Sequence, residues 1–162
     1  MATIGILGGN TQETAKMFSQ ICRENGRKVL LDSYKITKEN SISIVAIDEI
    51  IFELPQIFIL QETTDYALNL EEGNYLIVNA DRAVVPPPTE AGIITYGFNG
   101  KASVTASSVA DEALQVCIQR GFRTLNGSPL IPQEFSTPCP SSVDPLNVLG
   151  AIAACAVCDV LL

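Results

Sequence analysis

The sequence predicts an α/β domain: a mostly parallel, P-loop-like sheet with flanking helices and a small antiparallel β subdomain. Short apolar runs that end in polar clusters, a glycine-rich turn between the first run and an amphipathic segment, and an Asn-Gly hairpin signal in the second half all point to it. With 162 residues, 47% of them hydrophobic, the chain can bury one sizeable core. A single domain over residues 1–162 is therefore expected, with residues 1–100 as the parallel part, 101–143 as the antiparallel part and 144–162 as the C-terminal helix.

The elements follow in chain order. Thr3 to Leu7 is an apolar run closed by Gly-Gly-Asn-Thr, and Gln12 to Glu24 puts Ala15, Phe18, Ile21 and Cys22 on one helical face. Gly26 stops that helix, and Lys28 to Asp32 reads as a second buried strand, so residues 1–33 form a βαβ unit of a parallel sheet. Ser43 to Ala46 fits a strand, and Asp48 to Leu54 fits a helix running into Pro55. Ile57 to Leu60, Tyr75 to Val78 and Ile93 to Tyr96 complete the parallel strands. Their C-terminal ends carry the polar residues, where open α/β sheets place ligands.

After Gly97 the pattern changes. Val104 to Ser108, Ala113 to Gln119, and Arg123 to Leu125 joined through Asn126-Gly127 to Leu130 and Ile131 read as an antiparallel meander. A proline-rich stretch from Pro129 to Pro145 leads to a last helix from about Leu146, with Asp144 as N-cap and Pro145 at its first position. That helix is apolar on more than one face, which leaves core packing and burial under a partner both open.

Composition removes several functions. A formal net charge of -8 with a pI near 4.4 opposes nucleic acid and anionic membranes, and Lys and Arg are scattered. The start lacks the pattern of a signal peptide and no run suits a membrane span, so a cytoplasmic protein is expected. With no histidine in the chain, Ser-His and Cys-His catalysis are excluded. Cys155 and Cys158 form a C-x-x-C within an apolar helical segment and read as buried thiols, with no metal site.

The sharpest motif is GILGGNTQETA, Gly5 to Ala15, at the first strand-to-helix turn, where backbone amides and the helix dipole favour an anion. With VNAD at Val78 to Asp81, ITYGFN at Ile94 to Asn99, GSPLIPQEF, and DPLNVLGAIAACAV, this order of motifs resembles the central, ATP-binding domain of the Mur ligases over nearly the whole chain. The resemblance implies a parallel sheet with an antiparallel flap, derived from an enzyme that joins a carboxylate to an amine through an acyl phosphate. It also implies that the domains Mur ligases carry before and after this one are absent. The chain departs from the family where phosphoryl transfer is done: Gln12 replaces the loop lysine, Glu13 the magnesium-binding hydroxyl, and Arg82 the second aspartate.

The expected function is accordingly a degenerate Mur-ligase-like module, with no catalytic residues and no metal, that acts by protein association and binds at most a small anionic or nucleotide ligand. The alternative is a subunit of an ATP-dependent amide-forming ligase that needs a partner chain, and only there would ATP and Mg serve as cofactors. The expected partners are a second copy of the chain or a larger Mur-type chain. The candidate ligand residues are Gly8, Gly9, Asn10, Thr11, Gln12, Glu13 and Thr14 in the loop and Glu62, Asn79, Asp81 and Arg82 in a second strand-end cluster. A tight turn without a ligand is the competing reading of the first group, and an Asx turn that of Asn79 and Asp81. Lys101 and Arg82 are the cations that could replace the missing lysine, or plain surface residues.

Overall fold

Two runs set the middle of the sheet. In β1 (Ala2–Leu7) and β4 (Ile57–Leu60) every residue is buried, as strands covered on both faces require. They pair in parallel, Ile4 opposite Ile57, in a computed structural model that describes residues 2–35, 41–48, 55–64, 68–82 and 84–160. β5 (Tyr75–Asn79) and β6 (Gly92–Tyr96) extend the parallel run outward. Side chains alternate between faces: Ile4, Ile6, Ile57, Ile59 and Ile77 enter one core, and Leu7, Phe58, Leu60, Leu76 and Val78 the other.

The predicted βαβ unit is corrected in its pairing. β2 (Val29–Lys35) does not touch β1; β3 (Ser41–Ile47) lies between them, antiparallel to both. Composition explains the exchange of seats. SISIVAI buries Ile42, Ile44, Val45, Ala46 and Ile47, whereas Leu30 and Leu31 of β2 are exposed and β2 is the sheet edge. The predicted helix over Asp48 to Leu54 lies outside the described residues from 49 onward.

At the other end the antiparallel part is continuous with the main sheet. β7 (Val104–Ala110) pairs in parallel with β6 through Val104 and Tyr96, then β8 (Ala113–Ile118) and β11 (Gln133–Pro138) follow antiparallel. The result is a nine-stranded mixed sheet in the order β11-β8-β7-β6-β5-β4-β1-β3-β2. β11 falls inside the stretch read as a proline-rich connector. The Asn126-Gly127 turn does join a short hairpin, β9 (Phe122–Arg123) with β10 (Pro129–Leu130), as a separate two-stranded sheet.

Both helices cover the same face. α1 (Thr11–Glu24) begins at Asn10, whose side chain accepts from the Glu13 amide, and buries Ala15, Phe18, Ile21 and Cys22 as its periodicity predicts. α2 (Pro145–Val157) is capped by Asp144 with Pro145 first, and all its residues from Asn147 to Val157 are buried within the chain. α1 packs over β1, β2 and β3, α2 over β4 to β7, and the two helices pack on one another. An all-round apolar helix is thus explained by core packing. Between the helices the free thiol of Cys155 donates a hydrogen bond to Cys22, which is the main cause lowering the Cys22 thiol pKa, while burial raises those of Cys155 and Cys158. The C-x-x-C thiols are both buried. The second face of the sheet is closed instead by Leu68, Leu70 and Val84 from the segments after β4 and β5. Among the described residues no helix is long and apolar enough to cross a membrane.

Candidate functional site

Parallel pairing brings the C-terminal ends of β1, β4, β5 and β6 to one edge of the sheet, where α1 and α2 also begin. A crevice of about 210 Å³ opens there, bounded by Gly9 and Asn10, Gln61 and Glu62, Asn79, Arg82, and the first turn of α2 from Asp144 to Asn147. It draws together residues from four stretches of the chain.

The glycine loop is shaped by its neighbour. Gly8 and Gly9 have left-handed φ values of 76° and 57°, and a Cβ on Gly8 would stand 2.9 Å from the backbone nitrogen of Glu62. The loop after β1 therefore presses on the loop after β4. Thr11 and Thr14 are buried and accept bonds from Ser43 and from Gln61, at 3.0 and 2.6 Å, while Gln12 is exposed.

Glu13 faces the start of α2. Its Oε2 accepts from the Asp144 amide at 3.3 Å and, through a short contact, from Asn147 Nδ2. The leading amides of α2 are already engaged: Leu146 donates to Asp144 Oδ1 and Asn147 to the Asp144 carbonyl, each at 2.9 Å, and Pro145 has none. A carboxylate of the chain thus takes the position at a helix N-terminus that an anion would favour.

Gln61 links the two helices. It is 3% exposed, and its Nε2 donates to Thr14 Oγ1 and, at 2.8 Å, to Asn147 Oδ1. Its Oε1 is buried, as is the hydroxyl of the nearby Tyr96, whose pKa is raised mainly by burial against smaller opposing effects of Arg82 and of a side-chain hydrogen bond with Gln61. Sequence reasoning missed Gln61 as a site residue and treated Asp144 only as a cap. The polar cluster after Leu60 was the available signal for Gln61.

The second cluster divides. Asn79 Oδ1 accepts from the Asp81 amide at 3.0 Å, the Asx turn expected as the structural reading. The Asp81 carboxylate turns away to accept from the amides of Phe98 and Asn99, at 2.6 and 2.9 Å, so it clamps the loop after β6. Arg82 spans the crevice: Nη1 lies 2.9 Å from Glu62 Oε1 and Nη2 4.0 Å from Asp144 Oδ2. Lys101 is exposed and does not line it. Among the described residues no group of His, Cys, Asp and Glu side chains is arranged to hold a metal.

No family model matches the chain, and no curated protein matches it. Solved structures that do match include subunit PORC of pyruvate oxidoreductase from Thermotoga maritima, 14% identical with a TM-score of 0.46, over 58% of this chain and 60% of that one. Another is the gamma subunit of keto/oxoacid ferredoxin oxidoreductase from Geobacter sulfurreducens PCA, 16% identical with a TM-score of 0.47, over 59% of this chain and 60% of that one. The chain thus spans about 60% of the length of each.

These matches correct the Mur ligase resemblance: they are oxidoreductase subunits, and no family model supports a Mur ligase. The readings that hung on it fall with it, namely the degenerate Mur-like module with an anionic or nucleotide ligand, the ancestral ATP-binding site and the amide-ligase alternative. Glycines after a strand signal a close backbone approach, and the group that approaches Gly8 is the chain's own Glu62.

Proposed function

We propose that the chain is a binding subunit whose site is the polar crevice at the ends of β1, β4 and β5. The observation that carries this reading is the place and lining of the crevice: it opens at the C-terminal ends of parallel strands, where open α/β sheets bind ligands, and Gly9, Gln61, Asn79 and Asn147 line it. The buried Gln61 amide holds Thr14 and Asn147 in place, so the lining is set before any ligand arrives. The charged groups of the crevice, Glu62, Asp144 and Arg82, are engaged with one another. No nucleophile paired with a base lies among the lining residues, so binding rather than turnover is the activity proposed, with no cofactor.

An amide-resolved NMR screen of small polar compounds tests this. Hits should move the signals of Gly9, Gln61, Asn79 and Asn147 together. They should vanish in Leu146→Trp, which fills the crevice from the first turn of α2 while its circular dichroism stays that of the parent. Hits scattered over the surface, or hits that survive Leu146→Trp, would remove the reading.

Association with a second copy of the chain is proposed alongside it. Edge strands of soluble proteins are commonly blunted by charge, yet β2 exposes Leu30 by 48% and Leu31 by 40% on its two faces. Light scattering after size exclusion should give a dimer mass that falls to the monomer in Leu30→Lys with Leu31→Glu. A monomer in the unmodified chain refutes it.

A further inference from the structure

We infer that two copies of the chain dock edge to edge, β2 against β2 antiparallel about a two-fold axis, with Leu30 facing Leu30 and each Lys28 facing the other copy's Asp32. This rests on the self-association proposed above and gives it a surface and a register. The hydrogen-bonding phase of β2 and the order of its charges carry it.

Residues of an edge strand direct their N–H and C=O groups alternately inward, to the neighbouring strand, and outward. Lys28 faces inward: its carbonyl accepts from the Asp48 amide and its amide donates to Asp48 Oδ1, each at 2.9 Å. Leu30 and Asp32 share that phase, so Val29, Leu31 and Ser33 turn their backbone groups outward. The Ser33 amide accordingly donates at 2.9 Å to the side chain of Asp32 instead of to β3. β2 is last in the sheet order, and among the described residues no further strand pairs with it. A partner strand exchanges bonds only with outward residues, so in an antiparallel pair of β2 strands odd positions face odd ones and even positions face even ones.

The charges then choose among the registers that remain. Val29 packs on the core beneath α1, so Lys28, Leu30 and Asp32 lie on the opposite face of the strand. Lys28 and Asp32 are exposed, and so is Leu30. With Leu30 on the axis, leucine meets leucine, Lys28 meets Asp32 twice, and Val29 meets Leu31 on the other face. Centring the pair on Leu31 sets Leu30 against Asp32, centring it on Val29 sets Lys28 against Leu30, and centring it on Asp32 sets two carboxylates together. Charges on an edge usually keep other strands away. A cation and an anion evenly spaced about a leucine instead favour one register, and they are self-complementary, as a two-fold contact requires. The opposite edge has no such order, since β11 carries Glu134 and no cation.

The test is light scattering after size exclusion of the full chain over a dilution series, which yields the dimer dissociation constant, together with thiol crosslinking. Lys28→Asp and Asp32→Lys each bring like charges face to face twice and should weaken the dimer by about tenfold. The double variant, with the charges exchanged, should return to within about threefold of the parent. Leu30→Cys should form a disulfide between the copies, located by peptide mapping, because facing residues of that pair stand about 4.5 Å apart at Cα. Leu31→Cys, which faces Val29, should not. A dimer indifferent to the charge variants, or one that crosslinks through Leu31→Cys and not Leu30→Cys, would overturn the pairing of β2 with β2 and leave self-association standing. A parent chain that is monomeric throughout the series would overturn both.

Discussion

Two loops at the same edge of the sheet are built from the same kinds of residue and end in different states. After β6, Gly97 has a φ of 147° and stands against the Asp81 carboxylate, whose two oxygens are taken by the amides of Phe98 and Asn99. After β1, Gly8 and Gly9 stand against Gln61 and Glu62, but among the described residues the Glu62 carboxylate bonds a side chain, Arg82, across an open crevice. One loop has spent its carboxylate on backbone; the other holds it where it can be exchanged. A strand-end acid therefore reads as structural or as available according to whether its partners are amides of the fold or a mobile side chain.

The strongest test of that difference is a matched pair of alanines. At Gly97 a Cβ would fall 2.5 Å from Asp81 Oδ1 in a conformation that L-residues avoid. Gly97→Ala should cost about 3–5 kcal/mol, a fall in Tm of roughly 10 °C by calorimetry. At Gly9 the nearest atom would be 3.4 Å away, so Gly9→Ala meets only the left-handed backbone penalty of about 1–2 kcal/mol. Equal losses at the two sites would erase the contrast.

Asp81→Ala comes next. It leaves two amides of the β6 loop to water and removes two charge-assisted bonds at an exposed position, and about 2 kcal/mol in urea unfolding is the expected loss. Binding of any crevice ligand should survive it, because Asp81 does not line the crevice.

These contrasts were only partly legible in the sequence. β1, α1, β4, β5, β6 and α2 follow from local signals: apolar runs, 3.6-residue spacing, and the Asn10 and Asp144 caps. The seat of β3 between β1 and β2 is a choice between two strands for one interior position, which no local window contains. β11 hid because its inward residues Gln133, Phe135 and Thr137 are only partly buried and mostly polar, so the alternation has little apolar contrast. Within the site, Glu62, Asn79 and Arg82 stood out as polar residues after strands. The Gln61 to Asn147 bond joins positions 86 apart and needed the fold to exist first. The glycine loop is a like case: its sequence tells of a close approach, and only the fold shows that Glu62 is what approaches Gly8.

A smaller effect is expected at Tyr96, which lies under Gly150 of α2 with its hydroxyl buried beside Gln61. Tyr96→Phe should cost about 1 kcal/mol in urea unfolding, the worth of one buried hydrogen bond. A gain in stability would mean that the hydroxyl is desolvated without a partner.

The smallest expected change in stability is the most informative about the crevice. Glu62 and Arg82 form an ion pair with side chains 47% and 46% exposed, and pairs of that kind contribute little beyond about 0.5 kcal/mol. Glu62→Gln keeps the shape and removes the charge, so the urea midpoint should hardly move while exchange of the Gln61 and Asn147 side-chain amides stays slow, because their bonds do not pass through Glu62. Were Glu62→Gln instead to unfold the chain as readily as Asp81→Ala, the carboxylate would be a brace like its counterpart after β6. The crevice would then be a packing feature of the two loops, with no residue left free to meet a ligand.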